Sequence, residues 1–160
     1  IKCWGDSSHG QMGTGKTFDL GDAAGEMGDS LTAIDLGTSR TATAIAASLA
    51  TCAVLDNSSI KCWGANALGQ LGLGDTSNRG NTVQGDGSSQ MGDNLPSIDL
   101  GTGRTARGVI TGNYHTCAIM DNSSIKCWGR NNSGQLGIGD TDSRGDGANE
   151  MGDNLPSINF

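Results

Sequence analysis

The stretch TCAIMDNSSIKCWG at residues 116–129 decides the reading of this chain: it recurs as TCAVLDNSSIKCWG at residues 51–64, and its last five residues open the sequence as Ile1 to Gly5. In each copy two short apolar runs flank Asp-Asn-Ser, residue types that accept turn geometry and left-handed backbone angles. The pattern predicts a β-hairpin centred on Asp56, Asn57 and Ser58, and another on Asp121, Asn122 and Ser123. Outward from the hairpin, every IKCWG leads into a Gly-rich loop: GQMGTG at 10–15, GQLGLG at 69–74 and GQLGIG at 134–139. A polar connector follows, then MGDSLTAIDLGTSRTA at 27–42, MGDNLPSIDLGTGRTA at 91–106 and MGDNLPSINF at 151–160.

Trp4, Trp63 and Trp128 are 59 and 65 residues apart, and the longer interval falls in the second connector. One repeat array therefore fills residues 1–160. Residues 1–59 hold a partial first repeat and the start of a second blade, residues 60–124 the second repeat, and residues 125–160 a truncated third. Residues 42–47 and 106–111 read as a further strand. TATAIAASLA has helical propensity, but its counterpart TARGVITGNYH carries Gly108 and Gly112, so the repeat overrules the local preference. LTAIDL, LPSIDL and LPSINF read as a fourth strand. The fold class expected is all-β: tandem four-stranded antiparallel blades of a β-propeller-like array, about two and a half blades.

Composition agrees. The chain has 160 residues, 34% apolar, 4% aromatic and 17% charged, with 27 glycines. Bulk is spent on turns instead of side-chain core, and so low a charge content is foreign to disordered polyelectrolytes. Ten basic against 17 acidic residues give a net charge of −7, the wrong sign for sequence-independent attraction to phosphate. Neither nucleic acid nor membrane insertion is expected of it.

The segment HTCAIMDNSSIKCWGRNNSGQLGIGDT at 115–141, with its GQLG turn and Trp-Gly pair, resembles the repeats of the regulator of chromosome condensation type. That resemblance implies a β-propeller, commonly of seven blades. The first copy departs from the pattern, with SLAT for GNYHT, Met12 for Leu, and Lys16 where the others have Asp75 and Asp140.

Five cysteines sharpen the reading. A three-residue turn puts Cys52 directly across from Cys62, and Cys117 across from Cys127, close enough for a disulfide. The alternative is a reduced pair of buried small side chains. Cys3 matches Cys62 and Cys127, with its expected partner upstream of Ile1, so the odd cysteine reads as unpaired by truncation. Closing such a loop stabilises by roughly 2.7 kcal/mol in the chain-entropy model. Disulfides persist in oxidising compartments, so the expected location is extracellular or at the cell surface, as in the cysteine-paired secreted variety of the family.

Other motifs lose their force against the repeat. GQMGTGKT at 10–17 fits the phosphate-loop pattern, yet its equivalents carry Asp at the lysine position and Gly21, Gly25 and Gly28 forbid the required helix. DTDSRGD at 140–146 has Arg144 at the fifth position of a calcium loop and reaches Met151 at the twelfth. Arg144, Gly145 and Asp146 spell an integrin-type tripeptide that drifts to other residues in the sister copies. His9 and His115 occur once each and are tied to no acid or serine by repeat position. No catalysis, metal or cofactor is expected. Asn57, Asn122 and Asn131 lie in Asn-X-Ser sequons, the first two at hairpin tips. The function expected is a non-catalytic extracellular structural or interaction role, as a segment of a longer propeller chain or a subunit stacking on its own copies. The alternative is a secreted module recognising glycan or protein through variable connectors such as GNTVQGDGSSQ at 80–90.

Overall fold

The computed structural model describes residues 1–81 and 90–159. Two hairpin-based sheets follow one another along the chain. Strands β1 (Ala42–Ala47), β2 (Ala50–Leu55) and β3 (Ile60–Gly64) form one antiparallel sheet, and β4 (Ala106–Thr111), β5 (His115–Met120) and β6 (Ile125–Gly129) the other. The Ala-rich run is a strand, as its Gly-bearing counterpart requires.

The hairpin turns have the expected three residues. Leu55 donates its N–H to Ser59 O at 2.8 Å and Ser58 donates to Leu55 O at 2.9 Å, with Ser58 at φ +63°. Asn57 Oδ1 accepts from both the N–H and the hydroxyl of Ser59, which holds the turn without a glycine. Asp121, Asn122 and Ser123 repeat this, with Ser123 at φ +70°. The turn fixes the register, and Cys52 faces Cys62 as Cys117 faces Cys127.

Side chains alternate along β2, and both alternating sets are buried. Ala53 and Leu55 pack with Trp63 against Ile34 and Leu36 of the preceding repeat. Cys52, Val54, Ile60 and Cys62 meet Ala106, Val109, Ala118, Met120 and Trp128 of the following sheet. The sheets therefore stack face to face, and their core is the seam between them. Along β5, by contrast, Thr116, Ala118 and Met120 are buried while Ile119 is exposed, because only the face toward the first sheet is covered.

The expected fourth strand is where the structure differs. Residues 31–36, 95–100 and 155–159 run beside the IKCWG segments but form no ladder. Each makes one main-chain bond to its neighbour: Ile34 N–H to Ile1 O at 3.0 Å, Ile98 to Ile60 and Ile158 to Ile125 at 2.8 Å. Pro96 and Pro156 lack a donor. The carbonyls of Asp35 and Asp99 instead accept from Gly92 and Gly152 of the next repeat, at 3.1 Å each. Polar groups that would build a fourth strand are spent joining repeats.

Candidate interaction site

A single carbonyl organises each seam. The Gly-rich loop after one IKCWG segment reaches over the next sheet, where the Gln11 carbonyl accepts from Thr51 Oγ1 at 2.8 Å and from Trp63 Nε1 at 3.0 Å. One repeat later, Gln70 O accepts from Thr116 Oγ1 at 2.8 Å and Trp128 Nε1 at 3.1 Å. Both indoles are fully buried, so their N–H groups need these partners. The loop approaches closely because it lacks side chains at the contact. A Cβ on Gly13 or Gly72 would stand 2.8 or 2.7 Å from the indole nitrogen. Two further main-chain bonds close the seams, Gly15 N–H to Gly80 O and Gly74 N–H to Gly145 O, at 3.0 Å each.

A buried lysine makes a second clasp. Lys61 donates to Leu36 O at 3.0 Å and Gly92 O at 2.7 Å, carbonyls from two successive repeats. Lys126 repeats this on Leu100 O and Gly152 O, at 3.0 and 2.8 Å. Beside it, Thr102 donates its hydroxyl to Asp153 at 2.6 Å and its N–H at 2.9 Å. Those bonds, with the charges of Lys126 and Arg104, hold the Asp153 carboxyl below its ordinary range, and Thr38 does the same for Asp93.

The paired cysteines lie on the faces that look toward the next repeat. The Cys52 and Cys62 sulfurs are 2.17 Å apart and those of Cys117 and Cys127 2.05 Å apart, both disulfide distances. Cys3 is half-buried, and desolvation pushes its thiol pKa up.

Of the three sequon asparagines, Asn57 and Asn122 are exposed at the hairpin tips. Asn131 needs a correction: it is 0% exposed, and its amide is consumed inside its own loop. Nδ2 donates to Asp140 O and Oδ1 at 3.0 Å, while Oδ1 accepts from Leu136 N–H at 2.9 Å. A glycan there is incompatible with the folded loop.

The loop motifs make contacts within their own loops. The Lys16 ammonium lies 5.0 Å from the centre of the Phe18 ring, and the described residues after it form no α-helix. Arg144 Nη2 bonds Asp140 Oδ2 at 2.6 Å and Nη1 bonds two carbonyls of its own loop, so the Asp140 carboxylate and the tripeptide's guanidinium are both occupied. Ser8 Oγ lies 2.9 Å from His9 Nδ1, but Asp6 contacts Ser8 and not the far ring nitrogen, the reverse of what orients an imidazole as a base. The connector at 80–90 lies mostly outside the described residues. Among those residues, no helix is long and apolar enough to cross a membrane.

The seam carbonyl and the lysine clasp were not foreseen from sequence. Their signal was the joint recurrence of Gly-Gln, Thr-Cys and Lys-Cys-Trp at matched offsets, which marks contacts between repeats as well as within them.

Comparison with known proteins agrees with this architecture. Two solved structures align over 98% of the chain, each at 16% identity. One is described as Kap60 bound to yeast RCC1 (Prp20), with a TM-score of 0.63. The other is Prp20p from Saccharomyces cerevisiae, described with its binding properties to Gsp1p and histones, with a TM-score of 0.60. The chain spans about a third of the length of these structures, covering 32% and 33% of them. Residues 111–135, which hold the β5–β6 hairpin, match the family model described as the regulator of chromosome condensation (RCC1) repeat, and the all-β fold is like that of RCC1 propeller blades.

Proposed function

We propose that the chain is a non-catalytic extracellular structural or interaction protein, a repeat array that works through the faces of its sheets. The observation that carries this reading is the seam: the Gln11 and Gln70 carbonyls and the buried indoles join successive repeats, and a cysteine pair staples the two hairpin strands of each sheet. Residues 1–160 act as one array, either as a segment of a longer propeller chain or as a subunit meeting its own copies. The cysteine pairs are oxidised in this reading, and the location is extracellular or at the cell surface. Its partners are proteins, the class of partner named for the yeast RCC1 structures.

The test is labelling of intact cells of the source organism with a membrane-impermeant amine reagent. Labelled chain, or chain in the medium, is the expected result. A chain found only in the cytosol, and unlabelled, overturns the extracellular assignment.

A further inference from the structure

Aspartate is followed by glycine twice in the sequence: at Asp86 and Gly87, outside the described residues, and at Asp146 and Gly147 in the connector of the third repeat. Before a glycine, the next main-chain nitrogen reaches the aspartyl side-chain carbon with least hindrance, because no Cβ shields it. At Asp146 and Gly147 a second carboxylate is laid across that nitrogen. Glu150 Oε2 accepts from Gly147 N–H at 2.7 Å and from Gly145 N–H at 2.9 Å. A Cβ on Gly147 would stand 3.0 Å from Glu150 Oε1, so glycine also lets the carboxylate close over the nitrogen. Desolvation, a hydrogen bond with Glu150 and the charge of Glu150 hold the Asp146 carboxyl above its ordinary range, against the opposing charge of Arg144. Asp146 is thus biased toward the neutral carboxyl, the form that a nitrogen nucleophile attacks.

We propose that Asp146 and Gly147 cyclise spontaneously, with Glu150 relaying the proton. The Gly147 nitrogen attacks Asp146 Cγ. Its proton passes through Glu150 to the carboxyl hydroxyl, which departs as water. One N–C bond forms, one C–O bond breaks, and Glu150 returns to its starting state. Solvent water then opens the cyclic imide at either carbonyl. One opening restores aspartate, and the other leaves isoaspartate, whose main chain runs through the side-chain carbon.

The modification falls on a seam. The main chain of Asp146 lies against the Gly-rich loop of the second repeat, where a Cβ on Gly69 would stand 2.4 Å from Asp146 N. The neighbouring Gly145 carbonyl accepts from Gly74 N–H at 3.0 Å. The extra main-chain methylene of isoaspartate enters a contact that is already close-packed, so each conversion loosens the join between the second and third repeats. The first repeat supplies the comparison. There the positions are Asp22, Ala23 and Glu26, and Glu26 Oε2 accepts from Ala23 N–H at 3.0 Å, but the alanine Cβ shields the nitrogen.

Peptide mapping of the purified full chain, aged in parallel under folding conditions and in urea, tests this. Cleavage after Arg144 isolates residues 145–160, and electron-transfer fragmentation separates isoaspartate from aspartate at position 146. The folded chain is expected to form the imide, one water lighter, and isoaspartate at Asp146 faster than the unfolded chain does, with Asp22 converting far more slowly. Glu150→Gln should slow conversion at Asp146 roughly tenfold or more, with unchanged circular dichroism. Conversion no faster in the folded chain than in urea overturns the proposal, as does a Glu150→Gln chain that converts at the wild-type rate. The comparison of folded with unfolded chain uses the natural sequence, so it decides the matter even where Glu150→Gln fails to fold.

Discussion

Trp128 donates its indole N–H to the carbonyl of Gln70, 58 residues earlier, and Thr116 Oγ1 donates to the same oxygen. One acceptor thus joins the loop of one repeat to two strands of the next. Removing one donor leaves the oxygen bonded to the other, and removing both orphans it in a dry seam. Trp128→Phe and Thr116→Val are each expected to cost about 1–2 kcal/mol in denaturant unfolding. The double variant should cost more than their sum, a coupling that a double-mutant cycle reads directly.

Lys61→Met keeps the aliphatic stem but leaves the Leu36 and Gly92 carbonyls without their charged donor. A loss of about 2–3 kcal/mol is expected in urea unfolding, because hydrogen bonds to charged groups exceed neutral ones. Lys2→Met is the matched comparison. Lys2 is exposed and donates to Gly28 O alone, so a much smaller loss is expected.

Thr14 Oγ1 is buried without a hydrogen-bond partner, at a position held by Leu73 and Ile138 in the sister repeats. Thr14→Val keeps the shape and removes the orphaned hydroxyl. Thermal unfolding should show a gain of about 1 kcal/mol.

The Asp153 carboxyl, bonded by Thr102, is held below the ordinary carboxylate range. A depressed folded-state value contributes stability that is present above the unfolded pKa and lost as pH falls through the folded one. Carboxyl-carbon NMR titration should therefore place the Asp153 midpoint below that of a free aspartate. In Thr102→Val the midpoint should move up, and acid unfolding should begin at higher pH.

Much of this was legible in the sequence because repetition supplies internal comparisons. The hairpin register followed from Asp56, Asn57 and Ser58, since three turn residues fix which cysteines face each other. Strand β1 was readable despite its Ala-rich helical propensity, because Gly108 and Gly112 stand in its counterpart. The outermost strand was misread for a physical reason. LPSIDL has strand composition, but Pro96 removes a donor and the Asp99 carbonyl goes to Gly152, a commitment local patterning does not display. Asn131 was misread likewise: its sequon is local, whereas its burial comes from loop closure onto Asp140 and Leu136. The seam acceptors were invisible because Gln11 and Gln70 use main-chain oxygens, whose partners no side-chain pattern names.

The most direct test of an extracellular, disulfide-stapled repeat array is a non-reducing peptide map of the protein isolated from its source, with free thiols blocked at lysis. The account predicts linked peptides joining Cys52 to Cys62 and Cys117 to Cys127, with these four sulfurs unavailable to the blocking reagent. Blocked, free thiols at these four positions would contradict it.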